Sequence, residues 1–245
     1  MIRISKVNVA TPAILAPGGK GDVETRELMQ AATNGQTQVE FQDSIYGHKS
    51  VKEALIGLQK DKCCFCQGFV TDTSYGDVEH FRPKGGYQQS EQQSLQKPGY
   101  YWLAYDFSNL FFACQKCNEV YKRNYFPLAD ESKRALSHTN DCLLEDSLIL
   151  HPELDNPEDH ITFVDEVVKS RNQSVKGRET IKRTGLDREK LNDSRLEYLE
   201  TLRVLAIIAR SKAEEAYHAR EHLKRLGQPG RLFSAMVRAN FPDLV

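Results

Sequence analysis

At 245 residues, with 40% hydrophobic and 27% charged side chains, the chain has apolar material for one large or two small folded units, and its composition excludes a disordered or fibrous protein. The formal net charge of −1 excludes a broadly basic protein that coats nucleic acid, so any such contact must be local or shared with a partner. No apolar run nears the roughly 20 residues that span a bilayer, and the amino terminus lacks a signal-peptide layout. These features predict a cytoplasmic protein with no membrane contact, whose six cysteines serve metal binding or catalysis and not a disulfide framework.

Met1 to Pro17 alternate loosely and carry Pro12 and Pro17, and Gly18, Gly19 and Gly21 then break the pattern, which predicts an extended arm followed by a loop. From Gly47 to Lys60, Val51, Leu55 and Leu58 recur at helical spacing beside Ile56, predicting an amphipathic helix that stops short of the first cysteine pair. Cys63-x-x-Cys66 and Cys114-x-x-Cys117 each bring two thiolates within reach of one ion, and two such knuckles complete a tetrahedral site for a structural Zn²⁺. A redox dithiol and plain buried cysteines are the competing readings. A redox pair belongs at the start of a helix in a strand–helix–strand unit, and the flanking pattern lacks one. Cys64 and Cys142 are expected to be free thiols with no assigned role.

Between the knuckles, Val78-Glu79-His80-Phe81-Arg82-Pro83-Lys84 alternates as a short strand ended by proline. The Gln- and Ser-rich stretch from Gly85 to Gly99 has no apolar period and predicts an exposed insertion. Asp106-Phe107-Ser108-Asn109 leads into the apolar run Leu110–Ala113, then the second knuckle, then Asn118-x-x-x-Lys122, whose spacing puts both side chains on one helical face. Arg82, Lys84, Lys116, Lys122 and Arg123 surround this segment. Of these, Lys122 and Arg82 are the candidate phosphate contacts, and a solvated charged surface is the plain alternative.

After about Asp130 the composition turns charged and aliphatic, and Pro152 and Pro157 mark a loop before a short strand or hairpin over His160–Val168. Lys169 to Lys190 is the most basic stretch, with eight Lys and Arg against Glu179, Asp187 and Glu189; it reads as a backbone-tracking surface, a partner surface or an ordinary exposed face. From Leu191 to Leu226 apolar side chains such as Tyr198, Leu202, Leu205, Ala216, Leu223 and Leu226 fall at three- and four-residue steps. They predict one long helix or a helix pair, stopped by Gly227, Pro229 and Gly230. Neither a Walker A motif nor a dinucleotide fingerprint occurs.

The order His80, Asn109, Asn118 between two cysteine knuckles resembles the HNH endonuclease family over roughly residues 60 to 127. The run Cys-x-x-Cys, Glu-His-Phe-Arg-Pro-Lys (79–84), Tyr-Tyr-Trp-Leu (100–103), Asn-Leu (109–110), Cys-x-x-Cys-Asn (114–118) and Phe126-Pro127 is similar to PtuB-like HNH proteins of Septu and retron-associated anti-phage systems. Asp155-x-Pro157-Glu158-Asp159-His160-Ile161, Thr180-Ile181 and Gly185-Leu186 extend the likeness. The resemblance implies an α+β fold with a ββα-metal core and a structural four-cysteine zinc site at residues 63–130. An N-terminal arm and helix (1–62) would precede it, and a mainly helical C-terminal region (131–245), suited to binding a partner, would follow.

The resemblance further implies hydrolysis of phosphodiester bonds in DNA or RNA with one divalent ion. His80 would be the general base and Asn109 the hydrogen-bonding group that fixes its imidazole tautomer; Asn118 and Glu79 would be oxygen ligands of the ion. An amide at 118, where many relatives carry histidine, favours Mg²⁺ or Mn²⁺ over softer metals, and Glu79 stands where aspartate is frequent. PtuB-like proteins accompany an ATPase, PtuA, which implies a PtuA-like ATPase partner. The reading from a different class is a non-catalytic zinc adapter for nucleic acid or protein, in which His80 is merely packed.

Overall fold

The computed structural model describes residues 1–36, 39–72 and 74–245. Among these, helices α1 (Lys20–Thr33), α2 (Asp43–Tyr46) and α3 (Lys49–Gln59) lead to strand β1 (Asp77–His80), which pairs antiparallel with β2 (Leu110–Ala113). A π-helical segment, Lys116–Lys122, follows β2 directly. Then come α4 (Pro157–His160), a hairpin of β3 (Ile161–Val164) and β4 (Val167–Ser170), α5 (Val175–Thr184), α6 (Glu189–Arg210), α7 (Ala216–Leu226) and α8 (Ser234–Asn240). The result is a mixed protein of helices and two small sheets, with one apolar core running from Leu55 and Phe65 through β2 to Leu202 and Met236.

Every residue of β2 is buried, so a two-stranded ribbon here needs a cover on its outer edge. The buried side chain of Gln59 supplies one: its Oε1 accepts from Phe112 N at 2.8 Å and its Nε2 donates to Phe112 O at 2.7 Å, as a neighbouring strand would. Cys64 N also donates to Phe112 O, at 2.9 Å. The amphipathic helix expected before the first cysteine is α3, and Gln59 is its last residue. β1 is shorter than the strand expected over 78–84. Beyond His80 the partner groups change: Phe81 N donates to Asn109 O at 2.9 Å, and Arg82 N to the Asn109 side chain at 2.8 Å.

The N-terminal arm is extended as expected, but the glycines that read as a loop open α1. Gly19 is its N-cap, where an added Cβ would lie 2.3 Å from Ala13 O, and only Gly21 and Leu28 of this helix are buried. With so thin an apolar face, the helix has no periodic signature. The arm is pinned by Lys6, whose ammonium donates to Phe107 O (2.6 Å), Ser108 O (3.1 Å) and Leu110 O (2.8 Å) and lies 3.8 Å from the Phe111 ring centroid. Burial lowers the Lys6 pKa to about 8.

The insertion is exposed at its tip, Glu91–Lys97, but its glutamines are structural. Gln89 pairs with both backbone groups of Leu128 (2.7 and 2.9 Å) and accepts from Arg134. In the C-terminal part the expected hairpin is β3–β4, and the helix pair is α6 packed on α7. Sequence periodicity gave no sign of α8. It clamps the hairpin turn through Asn240, whose side chain accepts from Asp165 N at 3.1 Å and donates to Asp165 O at 2.9 Å. α5 packs on the π-helical segment, and its cap shows why glycine stands there: Gly185 has φ +59°, and a Cβ would meet the Tyr121 ring at 2.5 Å.

His151 sits against Phe81 (ring centroids 4.3 Å apart), and its Nδ1 accepts from the backbone N–H of Glu153 and Leu154, both at 3.1 Å. Burial, with Arg82 and Lys6 nearby, lowers its pKa from 6.5 to about 3. Because the folded pKa is depressed, its stabilising contribution is full above pH 6.5 and is lost as pH falls toward 3. Chemical denaturation across that window is expected to show stability falling with a slope approaching about 1.4 kcal/mol per pH unit from this group. The slope should be shallower in His151→Asn.

Candidate functional site

The two cysteine pairs meet. The Sγ atoms of Cys63, Cys66, Cys114 and Cys117 all lie within 4.8 Å of one another, and Cys66 and Cys114 are 3.9 Å apart. A regular tetrahedron with Zn–S bonds of about 2.3 Å has edges of about 3.8 Å, so the cluster is compatible with structural zinc. The first knuckle is closed by Gln67 N donating to Cys63 O at 3.1 Å, with Gln67 at φ +65°. The second is closed by Asn118 N donating to Cys114 O at 3.0 Å, so the knuckle itself sets the backbone of Asn118. Hydrogen bonds from Cys114, Cys117 and Cys63 hold Cys66 well below the ordinary thiol pKa, whereas burial pushes Cys63 up. A bound cation would stabilise all four as thiolates.

Arg188, which sequence reasoning did not single out, donates to Cys117 Sγ at 3.5 Å and to Gly185 O at 2.8 Å. Burial opposes its charge, but Cys117 and Cys66 more than offset this and hold its pKa up. It is 71 positions from Cys117, so no local pattern announces it. Cys64 is buried in the core, and the backbone carbonyl of Cys142 accepts from Arg82 at 3.1 Å; neither cysteine joins the cluster.

A cleft lies beside this cluster. A cavity of about 230 Å³ is lined by Glu79, His80, Lys84, Asn118, Arg123 and Asn124, among others. A wider one of about 590 Å³, lined by Asp43, Tyr46, Lys52, Asp77 and Glu119, shares Val78, Lys84 and Asn118 with it. Three of the predicted site residues, His80, Glu79 and Asn118, therefore converge. His80 ends β1 with its ring edge-on to Tyr46 (centroids 4.8 Å apart) and its Nε2 2.9 Å from Ala104 O. A carbonyl can only accept, so Nε2 carries the proton and Nδ1 keeps its lone pair. Burial, then Lys84, lowers the His80 pKa well below 6.5, so the ring is neutral.

Asn109 does not touch the imidazole, contrary to the sequence expectation. Its side chain accepts from Arg82 N at 2.8 Å and donates to Arg82 O (3.0 Å) and Leu103 O (3.1 Å), stitching the chain after β1 to the chain before β2. The tautomer of His80 is set by Ala104 O instead. The two expected phosphate contacts are also placed elsewhere. Arg82 is bound to Glu145 at 2.7 Å and to Cys142 O. Lys122 is 0% exposed; its ammonium donates to His80 O at 3.0 Å and lies 2.5 Å from Glu79 Oε1. Lys122 and Glu79 thus form a buried ion pair. Burial raises the Glu79 pKa against the pull of Lys122. The cations that do line the cleft are Lys84, Arg123 and Lys52.

The basic stretch over 169–190 is largely consumed within the protein. Lys176 pairs with Asp146, Lys182 and Arg183 with Glu91, and Arg171 and Arg178 donate to backbone carbonyls. Arg183 also stacks 4.3 Å from the Tyr125 ring centroid.

Fold and cluster together define a mixed helix and small-sheet protein built around a four-cysteine site compatible with structural zinc. The chain is 36% identical to the Septu protein PtuB of Bacillus mycoides (strain KBAB4) over 197 residues, 80% of this chain and 66% of that protein. It is 28% identical to the Septu protein PtuB of Bacillus thuringiensis over 140 residues, 57% of this chain and 42% of that one. It is also 24% identical to the Septu protein PtuA of Bacillus mycoides (strain KBAB4) over 165 residues, 67% of this chain but 23% of that one. No family model matches. The chain spans just under two thirds of the first PtuB and less than half of the second, and the likeness supports kinship with PtuB-like Septu proteins. Among the described residues, no helix is long and apolar enough to cross a membrane.

Two outcomes follow from these contacts. Cys114→Ser, or stripping of metal by a strong chelator, is expected to lower the melting temperature sharply or abolish folding, with loss of one zinc per chain by metal analysis. A zinc-free Cys114→Ser protein as stable as the parent would refute the staple. Lys122→Ala should cost roughly 3–5 kcal/mol in urea unfolding, because it strands a buried carboxylate; a surface phosphate contact would cost almost none.

Proposed function

We propose that this protein is an HNH endonuclease that hydrolyses phosphodiester bonds of DNA or RNA, and that it serves as the PtuB-like effector of an anti-phage defence complex with a PtuA-like ATPase. The observation that carries the reading is the convergence of His80, Glu79 and Asn118 on one cavity beside the cysteine cluster. The sequence order β1, β2, helix, with His80 at the end of the first strand and Asn118 in the helix, is the order a ββα-metal core requires.

A hard divalent ion fits this donor set. Glu79 brings a buried carboxylate, paired with Lys122, to the cavity wall, and Asn118 adds a neutral amide oxygen on the same cavity. Glu79 and Asn118 would hold Mg²⁺ or Mn²⁺, which supplies charge neutralisation at the phosphate and at the leaving oxygen. His80 does the proton work: neutral, with Nε2–H held by Ala104 O, it offers Nδ1 to take a proton from the attacking water. Asn109 fixes the loop that carries Ala104 and Arg82, and so acts on His80 through the backbone. Lys84 and Arg123, on the cavity wall, replace Arg82 and Lys122 as phosphate contacts.

The likeness to proteins named PtuB and PtuA in the same bacterial strain supports a two-component assignment. The net charge of −1 and the pairing of Lys176, Lys182 and Arg183 with carboxylates of the same chain favour binding shared with a partner. A non-catalytic zinc adapter is the second reading, favoured by the deep burial of His80 at 7% exposure.

Plasmid nicking and RNA cleavage with the zinc-loaded protein, alone and with a PtuA-like partner, separate the two. Cleavage is expected only on addition of Mg²⁺ or Mn²⁺, to fall at least 100-fold in His80→Ala, and to weaken in Lys84→Ala. Unchanged cleavage in a folded His80→Ala variant would sink the general-base role, and no cleavage under any condition would favour the adapter.

A further inference from the structure

The side chain of Asn118 has one hydrogen-bond partner among the described residues. Its Nδ2 donates to Oδ2 of Asp77 at 3.2 Å. An ionised carboxylate accepts and cannot donate, so the amide must turn its NH₂ toward Asp77, and its Oδ1 therefore points the other way. Asp77 opens β1 two residues before Glu79, and it lines the wider cavity while Asn118 lines both. The backbone of Asn118 is already fixed from both sides, by Asn118 N to Cys114 O at 3.0 Å and by Arg123 N to Asn118 O at 2.7 Å. What remains free is the sense of the amide, and Asp77 is the group that sets it.

We infer that Asp77 is a positioning residue for the divalent ion: it orients the Asn118 amide so that Oδ1 faces the narrow cavity, and is not itself a ligand. This rests on the reading of the cleft as a metal-dependent phosphodiesterase site. Asp77 lies outside the Glu-His-Phe-Arg-Pro-Lys run, and its partner is 41 positions away, so the pairing is visible only in three dimensions. A neutral amide that is free to rotate presents its oxygen to the ion for only part of the time. Holding it in one sense raises affinity without adding a charged ligand.

The test uses the full, zinc-loaded chain and measures Mn²⁺ binding by electron paramagnetic resonance, alongside the Mg²⁺ dependence of cleavage, for Asp77→Ala, Asp77→Asn, Asn118→Ala and the Asp77→Ala/Asn118→Ala double variant. Asp77→Ala is expected to raise the Mn²⁺ dissociation constant about ten-fold, the scale of outer-shell contacts. Asp77→Asn, which keeps an acceptor oxygen for the amide and fills the same space, should restore most of that loss. In the Asn118→Ala background, Asp77→Ala should have no further effect.

Three results would overturn the inference alone: Mn²⁺ binding unchanged in Asp77→Ala, losses that multiply in the double variant, or Asp77→Asn as weak as Asp77→Ala. The second would make Asp77 an independent ligand, and the third would mean that its charge, not its hydrogen bond, matters. Absence of both Mn²⁺ binding and cleavage in the parent protein would overturn the proposed function and the inference with it. Zinc content and near-ultraviolet circular dichroism confirm that each variant is folded.

Discussion

Thiols from two segments, with Cys66 and Cys114 48 positions apart, meet in one buried cluster, and the site beside it depends on that meeting. Closing so long a loop costs chain entropy that a four-stranded or larger sheet would normally offset with a ladder of hydrogen bonds. Here the ladder is only four residues long on each side, and its open edge is patched by the Gln59 side chain and the Cys64 backbone N–H. A metal ion bound by four thiolates contributes folding energy outright and suits a sheet too small to hold itself together. Four thiolates around Zn²⁺ would carry a net charge of −2, and Arg188, which lies against Cys117, would meet part of it. Through Gly185 and the Tyr121 ring, the same contact region seats α5 on the π-helical segment, while Gln67 of the first knuckle bonds Ser234 and Ala235 of α8.

The second organising feature is the use of cations inside the protein. Lys122 is wholly buried against the carbonyl of His80 and the carboxylate of Glu79; Arg82 binds Glu145; Lys6 caps three carbonyls around the start of β2. Each is a strong donor set placed where backbone or carboxylate oxygens would otherwise be left without partners. A lysine buried beside a carboxylate does more than neutralise it. Lys122 also holds the Glu79 carboxylate in place on a cavity that Asn118 lines. Burial raises the Glu79 pKa and the ammonium of Lys122 pulls it down, so the ion pair offsets part of the cost of burying the carboxylate.

The two sets of contacts divide the labour around His80. Lys122 takes its carbonyl, Ala104 takes its Nε2–H, and Tyr46 closes one side of its ring, so the imidazole is held by three elements distant in sequence. Its ring nitrogen roles follow from a backbone carbonyl, which cannot change protonation and so cannot release the tautomer. Asn109 holds the loops that bring Ala104 into place. The histidine's orientation is thus a property of the loop crossing between β1 and β2, which the cysteine cluster and the small sheet tie down at both ends.

The sequence by itself determined the features whose physics is local. Two Cys-x-x-Cys pairs fix thiol spacing within a turn, the step of Val51, Leu55 and Leu58 fixes a helix, and a β-branched and aromatic hairpin between Pro157 and α5 fixes a second small sheet. His80, Glu79 and Asn118 were singled out there through the resemblance of their order and flanking cysteine pairs to a known family. The partners were not legible. A positive charge reads the same in sequence whether it faces solvent or lies under a strand, so Lys122 and Arg82 passed for surface cations until their carboxylates came into contact. Asn109 is beside β2 and still bonds the backbone of Arg82, and Arg188 finds Cys117 across 71 positions. Hydrogen bonds and desolvation act over a few ångströms irrespective of sequence distance, so tertiary structure alone decided which polar groups the cleft presents and which the fold consumes.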